Sequence, residues 1–325
     1  MKILSQTDVA TLLPMTEAIE VVARAMIGVS AGQATLPLRN MIPVGGDNRM
    51  GIMPGAIGDP PCFGVKLVSL FPGNPARGLS SHRGAMVLFE AETGGAIAMM
   101  DASLLTAIRT AAASGVATRI LARPDAASLV IIGNGEQADH HLDAICAVRP
   151  ITRLYVAGRS AGRAKDFAEK AALKYPALAI TSGTDIKTAV QDADIVCTTT
   201  ASPTPILFGD WITQGTHLNI IGSSIPTMRE IDDTVVKRAS IWVDYMPSTL
   251  AQAGEIVDMI REGSLTSAHL KGEIGTVLAG DLAGRTAQDE ITLYRSLGVA
   301  AQDLATAHHI TMRAIAEGYG QDAGL

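Results

Sequence analysis

The stretch Leu129-Val130-Ile131-Ile132-Gly133-Asn134-Gly135-Glu136-Gln137-Ala138 constrains this chain more than any other part of it. Four successive apolar residues suit a strand buried on both faces, and G-x-G-x-x-A then opens a helix. Gly133 permits the tight turn, Gly135 lets backbone approach a pyrophosphate, and Ala138 allows close helix–strand contact. The phosphates of a dinucleotide would lie against the N–H groups at the helix start, beside Asn134, Glu136 and Gln137. The ordinary alternative is a Gly-rich turn with no ligand. A strand before and a helix after favour the dinucleotide reading. Glu136 needs no further role than complementing its helix dipole.

The surrounding pattern agrees. Ser128 to Ile132, Leu154 to Ala157, Ile195 to Thr199, His217 to Ile221 and Ile241 to Asp244 are apolar runs that predict buried strands. Glu136 to Val148 and Ala161 to Lys174 predict helices between them, which is the rhythm of a doubly wound parallel sheet. A Rossmann domain is therefore expected over residues 123–298. Thr199 and Gly298 lie where it would meet its cofactor.

The N-terminal part reads differently. A helix is expected from Pro14 to Ser30. Short runs follow at Leu36 to Val44, Arg49 to Met53, Gly64 to Phe71, Ala85 to Glu90 and Ala96 to Asp101. Strand after strand without helices predicts an antiparallel or mixed sheet, with Glu92-Thr93-Gly94-Gly95 as a hairpin turn. A long helix of small residues runs from Ser103 to Leu121 and is stopped by Arg123-Pro124-Asp125. A last helix, Leu297 to Tyr319, is expected to return to the first domain. The fold class is thus α/β: the Rossmann domain plus an α+β domain made of residues 1–122 and about 299–325.

Bulk properties set the limits. At 325 residues the chain exceeds the usual size of a single core. Aromatic residues make up 4%, so Ala, Val, Ile, Leu and Met must fill the interior. A net charge of −6 with no basic stripe argues against nucleic acid as a partner. Cys62, Cys146 and Cys197 form neither a disulfide framework nor a metal pair, and no metal site is expected. With no signal-like start and no apolar run near the ~20 residues of a membrane span, a cytoplasmic, membrane-independent protein is expected.

The end of the second Rossmann strand bears on the cofactor. Val156-Ala157-Gly158-Arg159-Ser160 has no carboxylate to accept from the adenine ribose, as NAD enzymes usually do. Arg159 can pair with a 2′-phosphate and Ser160 can donate to it, which leans towards NADPH with NADH still possible. The competing reading makes Arg159 a solvated turn residue and Ser160 a helix cap.

Taken with Leu38-Arg39, Gly51-Ile52-Met53-Pro54, Lys66-Leu67-Val68, Ser81-His82, Leu88-Phe89-Glu90, Leu105-Thr106-Ala107-Ile108-Arg109-Thr110-Ala111-Ala112, Pro205-Ile206-Leu207, Gly222-Ser223-Ser224, Arg229-Glu230-Ile231-Asp232, Ser296-Leu297-Gly298 and Gln302-Asp303, the glycine loop makes the chain resemble the ornithine cyclodeaminase/mu-crystallin family over nearly its whole length. The resemblance implies a homodimer whose first domain binds substrate and dimerises. It admits cyclodeaminases, alanine dehydrogenases, reductases of cyclic ketimines and a hormone-binding crystallin. It also implies that Arg39, Lys66 and Arg109 hold a substrate carboxylate.

Physical chemistry stands beside that reading. Three cations on separate elements can converge on a small anion, Arg as a fork and Lys as a point charge. Taken singly, each has a surface salt bridge as its ordinary explanation. Lys66 is the exception, because an unpaired ammonium inside an apolar strand is costly. His82 is a candidate substrate contact or proton relay, and equally a capped loop histidine. Asp303 is expected near the nicotinamide or a substrate nitrogen, or else as a structural carboxylate at a helix start. Thr110 beside Arg109 would reach a cofactor phosphate with Arg109, or simply face the helix interior.

One position departs from the cyclodeaminases. They carry an Asp where this chain has Ser224, and a hydroxyl supplies neither that charge nor that basicity. The resemblance therefore implies reduction of a cyclic 2-carboxylated ketimine (1-pyrroline-2-carboxylate or its six-membered homologue), with Ser224 lining the cofactor. Alanine dehydrogenase chemistry, ornithine cyclodeamination and a non-catalytic NADPH-dependent binding role are the alternatives.

Overall fold

In a computed structural model, described over residues 1–324, the chain divides into two compact units. The first comprises Met1–Ala112 with Val299–Leu325, and the second Ala113–Gly298. The division falls inside the helix Ala102–Leu121, ten residues before the expected boundary at 122. The reason lies in where the helix finds its partners. Thr118 accepts from the Asn219 amide at 2.9 Å, and Ser114 hydrogen-bonds His141 at 2.9 Å, so the second half belongs with the parallel sheet.

The first unit is built on an eight-stranded sheet. Its order is Gln321–Asp322, Lys2–Leu4, Ala96–Asp101, His82–Glu90, Pro61–Leu70, Asn48–Gly58 and Ala34–Thr35, with Asn40–Gly45 also paired to Asn48–Gly58. All pairs are antiparallel except Lys2–Leu4 with Ala96–Asp101. Alternate residues such as Met53, Val68, Met86, Leu88 and Met100 are buried on one face. The helices Met15–Ser30 and Ala300–Glu317 bring their own apolar stripes, among them Ile19, Val22, Met26, Leu304 and Ile310. Instead of one run at Leu36 to Val44 there are two strands, with 36–39 outside both. Pro37, which has no N–H to offer a ladder, accounts for the interruption. At the hairpin turn, the Glu90 carboxylate accepts first from the Thr93 hydroxyl and then from the N–H groups of Thr93, Gly95 and Glu92, which together hold it at about 2.

The second unit is a parallel sheet of order Ala179–Gly183, Arg153–Ala157, Ser128–Ile132, Ile195–Thr198, His217–Ile220, Thr292–Arg295, Ser240–Val243, Leu270–Glu273. The crossover at Ser128–Ile132 puts the third strand at one edge and the fourth next to the first, as in a doubly wound fold. Every residue of Ser128–Ile132 is buried, as four apolar residues in a row require. Helices Glu136–Val148 and Ala161–Lys174 match the expected bounds. The carbonyls at the end of the long helix are taken by arginines. Arg149 donates to Arg119 and Ala122, and Arg285 to Leu121, which satisfies groups that a helix end otherwise leaves orphaned.

Candidate active site

Lys66 lies on the buried face of Pro61–Leu70, Arg109 near the middle of Ala102–Leu121, and Asp303 in the first turn of Ala300–Glu317. The structure brings the three side chains together. Lys66 Nζ is 2.9 Å from each carboxylate oxygen of Asp303, and Arg109 Nε donates to Asp303 Oδ1 at 2.8 Å. Arg109 Nη1 donates to Gln302 Oε1 at 2.8 Å. Lys66 and Asp303 are 1% and 0% exposed, and Arg109 is 4% exposed. Arg109 Nη2 has no hydrogen-bond acceptor among the described residues.

Two buried cations thus share one carboxylate. Burial first, then the charge of Arg109 and more weakly that of Arg39, brings the Lys66 ammonium down to about 7 against the upward pull of Asp303. Arg39, half-buried, is therefore near enough to act on Lys66. His82 also belongs to this neighbourhood. Desolvation, then the charges of Lys66 and Arg109, holds its imidazole below the ordinary range, and its Nδ1 lies 3.0 Å from the Ser81 hydroxyl. The Lys66–Arg109 pair is electropositive, buried and able to donate, which is what a small carboxylate needs for tight seating, while Arg39 is half-buried and His82 exposed.

The second unit carries the glycine loop. Gly133 has φ +122°, and a Cβ there would sit 2.5 Å from Thr199 Oγ1, so only glycine fits. Its N–H donates to Ala157 O at 2.8 Å, while Thr199 N–H donates to Ile132 O at 2.8 Å. Gly135 caps the helix Glu136–Val148 with no side-chain bond, and nothing lies within 4 Å of where its Cβ would be. That open cradle before a thirteen-residue helix fits a pyrophosphate. Ala138 is fully buried against the sheet, and Asn134 lies against Gly158.

The other expected residues are spread over this unit, apart from Thr110. Arg159 is exposed, with no bond or ion pair among the described residues. Ser160 accepts from Arg163 N–H at 3.4 Å, so it does cap its helix, and its hydroxyl proton is still available to another acceptor. Ser224 is half-buried, next to a Ser223 that accepts from Arg295 at 2.9 Å. Gly298, at φ +76°, donates its N–H to Asp244 at 2.6 Å. Thr110 lies in the first unit, buried on the same helix as Arg109.

Several polar groups had no role assigned from sequence. Gln302 was one of the family-matching residues, yet only the folded helix shows it holding Arg109. Glu230, Asp244, Glu255 and Arg295 are fully buried in the second unit. Glu230 lay in a matching stretch too; a carboxylate just before an apolar residue and a helix-capping Asp was the available signal.

The whole chain can be placed. Residues 1–318 match the profile of the ornithine cyclodeaminase/mu-crystallin family. The chain belongs to that family. Over 325 residues it is 34% identical to a Bacillus cereus Delta(1)-pyrroline-2-carboxylate reductase, covering 99% of each chain. It also resembles the solved Delta(1)-pyrroline-2-carboxylate reductase of Thermococcus litoralis in complex with NADH and L-proline, at 35% identity and TM-score 0.96, covering 99% of this chain and 100% of that one. An archaeal alanine dehydrogenase dimer with bound NAD is 31% identical with TM-score 0.93, covering 100% of this chain and 99% of that one. These likenesses run over the whole chain, and its fold is α/β with a Rossmann sheet.

Proposed function

We propose that the protein is an NAD(P)H-dependent oxidoreductase that reduces a cyclic 2-carboxylated ketimine, 1-pyrroline-2-carboxylate or 1-piperideine-2-carboxylate, to the corresponding cyclic amino acid. The observation that carries this reading is the pair of buried cations, Lys66 and Arg109, sharing the single carboxylate of Asp303, with Arg109 Nη2 left to donate. The first unit holds the substrate and the second the dinucleotide. Arg39, Lys66 and Arg109 seat the substrate carboxylate, and His82 borders it. Asp303 orients both cations and pulls against the loss of the Lys66 proton. Gly133, Asn134, Gly135, Glu136, Gln137 and Ala138 cradle the pyrophosphate, and Thr110, Thr199, Ser224 and Gly298 serve the rest of the cofactor. The reduced nicotinamide supplies the hydride. A protonated imine is already electrophilic, so these residues need only fix the carboxylate and exclude water. Ser224 in place of an acidic residue argues against deamination of a linear diamino acid.

The cofactor preference within this reading is NADPH, supported by an exposed, unpartnered Arg159 and no carboxylate at the strand end. A homodimer is supported by the first unit's sheet. Ile52, Val65, Leu67, Phe63, Val87 and Met99 share the face away from the helices by register, and Phe63 and Met99 are 36% and 37% exposed. An apolar face of that kind usually marks an interface. The T. litoralis enzyme was solved with NADH and L-proline, and the archaeal relative is described as a dimer. No helix among the described residues is long and apolar enough to cross a membrane. Three unpaired cysteines suit the reducing cytoplasm.

The test is oxidation of NADPH or NADH, followed at 340 nm, with 1-pyrroline-2-carboxylate. Rapid oxidation is expected, faster with NADPH, and Arg159→Ser should lower the NADPH:NADH preference about tenfold. Turnover only with pyruvate and ammonia would make the enzyme an alanine dehydrogenase. Proline formation from ornithine would restore cyclodeamination. Dinucleotide binding with no turnover at all would leave a binding protein.

A further inference from the structure

Glu230 is fully buried and precedes the short helix Asp233–Arg238. Its carboxylate is saturated by donors from two separate loops. Oε1 accepts the Thr200 N–H at 2.9 Å and the Thr200 hydroxyl at 2.7 Å. Oε2 accepts the Thr198 hydroxyl at 2.8 Å and the Gly222 N–H at 2.6 Å. Thr198 ends the strand Ile195–Thr198, Thr200 lies two residues beyond it, and Gly222 follows the strand His217–Ile220. Backbone alternation turns 198 and 200 towards Glu230 and leaves 199 for the opposite side. There Thr199 packs against Gly133 and bonds Ile132. Gly222 likewise leads into Ser223 and Ser224. A Cβ at Gly222 would lie 1.9 Å from Thr200 O and 2.5 Å from Glu230 Oε1, so the two loops and the carboxylate are in close contact.

We propose that Glu230 is a positioning residue for the dinucleotide: it clamps the loop carrying Thr199 and the loop carrying Ser224 to one another and so sets both against the glycine turn. The proposal rests on the reading of this unit as the dinucleotide-binding one. Backbone N–H groups are what make the clamp specific to a carboxylate. A threonine hydroxyl can reverse its role and accept, but the N–H of Thr200 and of Gly222 cannot. The two N–H groups address different oxygens. An amide in place of the carboxylate therefore sets an NH2 against one N–H or the other, whichever way it turns. Burial pushes the carboxyl upward, while the Thr200 and Thr198 hydroxyls, the Thr200 N–H and the Arg295 charge pull the other way. Nothing else in the cluster accepts from those two N–H groups.

The experiment is fluorescence titration of Glu230→Gln and wild type with NADH and NADPH, alongside thermal melts and the KM for imine. The expected result is a dinucleotide Kd raised about tenfold, with the KM for imine at saturating cofactor within about twofold of wild type. A variant that melts earlier but binds dinucleotide with wild-type Kd has only a scaffolding carboxylate, and the proposal is overturned. If Glu230→Gln does not fold, Glu230→Asp keeps the carboxylate but shortens its reach by one methylene, so that it cannot meet both N–H groups; an unchanged Kd in that variant overturns the proposal equally. A wild-type protein that binds neither dinucleotide removes the functional reading, and the clamp with it, which separates the two failures.

Discussion

Buried charge occurs in both units, and it is arranged in opposite ways. In the first, Lys66 and Arg109 converge on Asp303, so among the described residues positive charge is in excess and part of the guanidinium has no acceptor. In the second, Arg295 sits fully buried in a central strand with Glu255 at 2.5 Å, and its remaining nitrogens reach Ser223, Ile220 and Ser296. Asp244 there accepts from Leu297 and Gly298 N–H groups. Matched charge fixes loops. In the first unit the surplus is positive, which under the proposed function is what a substrate carboxylate would complete. The desolvation cost of a buried ion is several kcal/mol, and in the second unit backbone N–H and hydroxyl donors to Glu230 and Asp244 offset it.

The comparison can be broken most forcefully at Arg295. Arg295→Met leaves Glu255 buried without its partner and should cost about 3–5 kcal/mol by urea unfolding, whereas Arg295→Met with Glu255→Leu should recover most of it. A double variant no better than the single one would show that the pair is not self-contained. In the first unit the expected loss is functional instead. Arg109→Ala should lower kcat/KM for the imine by about 100- to 1,000-fold, through both KM and kcat, with a smaller effect on stability. An unchanged kcat/KM removes Arg109 from the site.

Acid should act on the second unit first. His141 and His217 are buried and held neutral, at about 4 and about 3, by burial foremost. The unfolded chain takes up their protons near 6.5, and the folded one does not. Stability is therefore complete above about 6.5 and falls as pH drops towards 4, by several kcal/mol at roughly 1.4 kcal/mol per unit. Unfolding of wild type and His141→Gln at pH 7.5 and 5 measures this; an equal pH loss in both acquits His141. The smallest expected effect is at Lys66. With its ammonium at about 7, a carboxylate analogue lacking a titrating nitrogen should bind about tenfold more weakly for each pH unit above that value. A flat profile from pH 6.5 to 8.5 would mean Lys66 stays charged or stands apart from the anion.

What could be read from sequence was whatever is local. The glycine loop, its strand and its helix all lie within about twenty residues, and each residue's reason is steric. Lys66 stood out because an ammonium in an apolar strand demands a partner, though only the fold supplies Asp303, 237 residues away. Thr292–Arg295 escaped notice as a strand because its Arg reads as surface, and only Glu255, Ser223 and two carbonyls make its burial tolerable. Ala179–Gly183 and Leu270–Glu273 are edge strands with few apolar residues, so periodicity says little about them. Glu230 was visible as a matching residue, but its four donors come from loops eight to thirty-two positions away.

The return of the helix Ala300–Glu317 to the first unit has a bearing on how the chain is born. Synthesis delivers Lys66 and Arg109 nearly two hundred residues or more before Asp303 exists to meet them. Until then the nascent first unit lacks its carboxylate, the helix that covers its sheet and the edge strand Gln321–Asp322. The slot between His217–Ile220 and Ser240–Val243 stays unfilled just as long, because Thr292–Arg295 comes late. Neither unit can close until residues 291–322 have been made, so a nascent chain arrested at residue 290 should be held by chaperones and digested by proteases that the 325-residue chain resists.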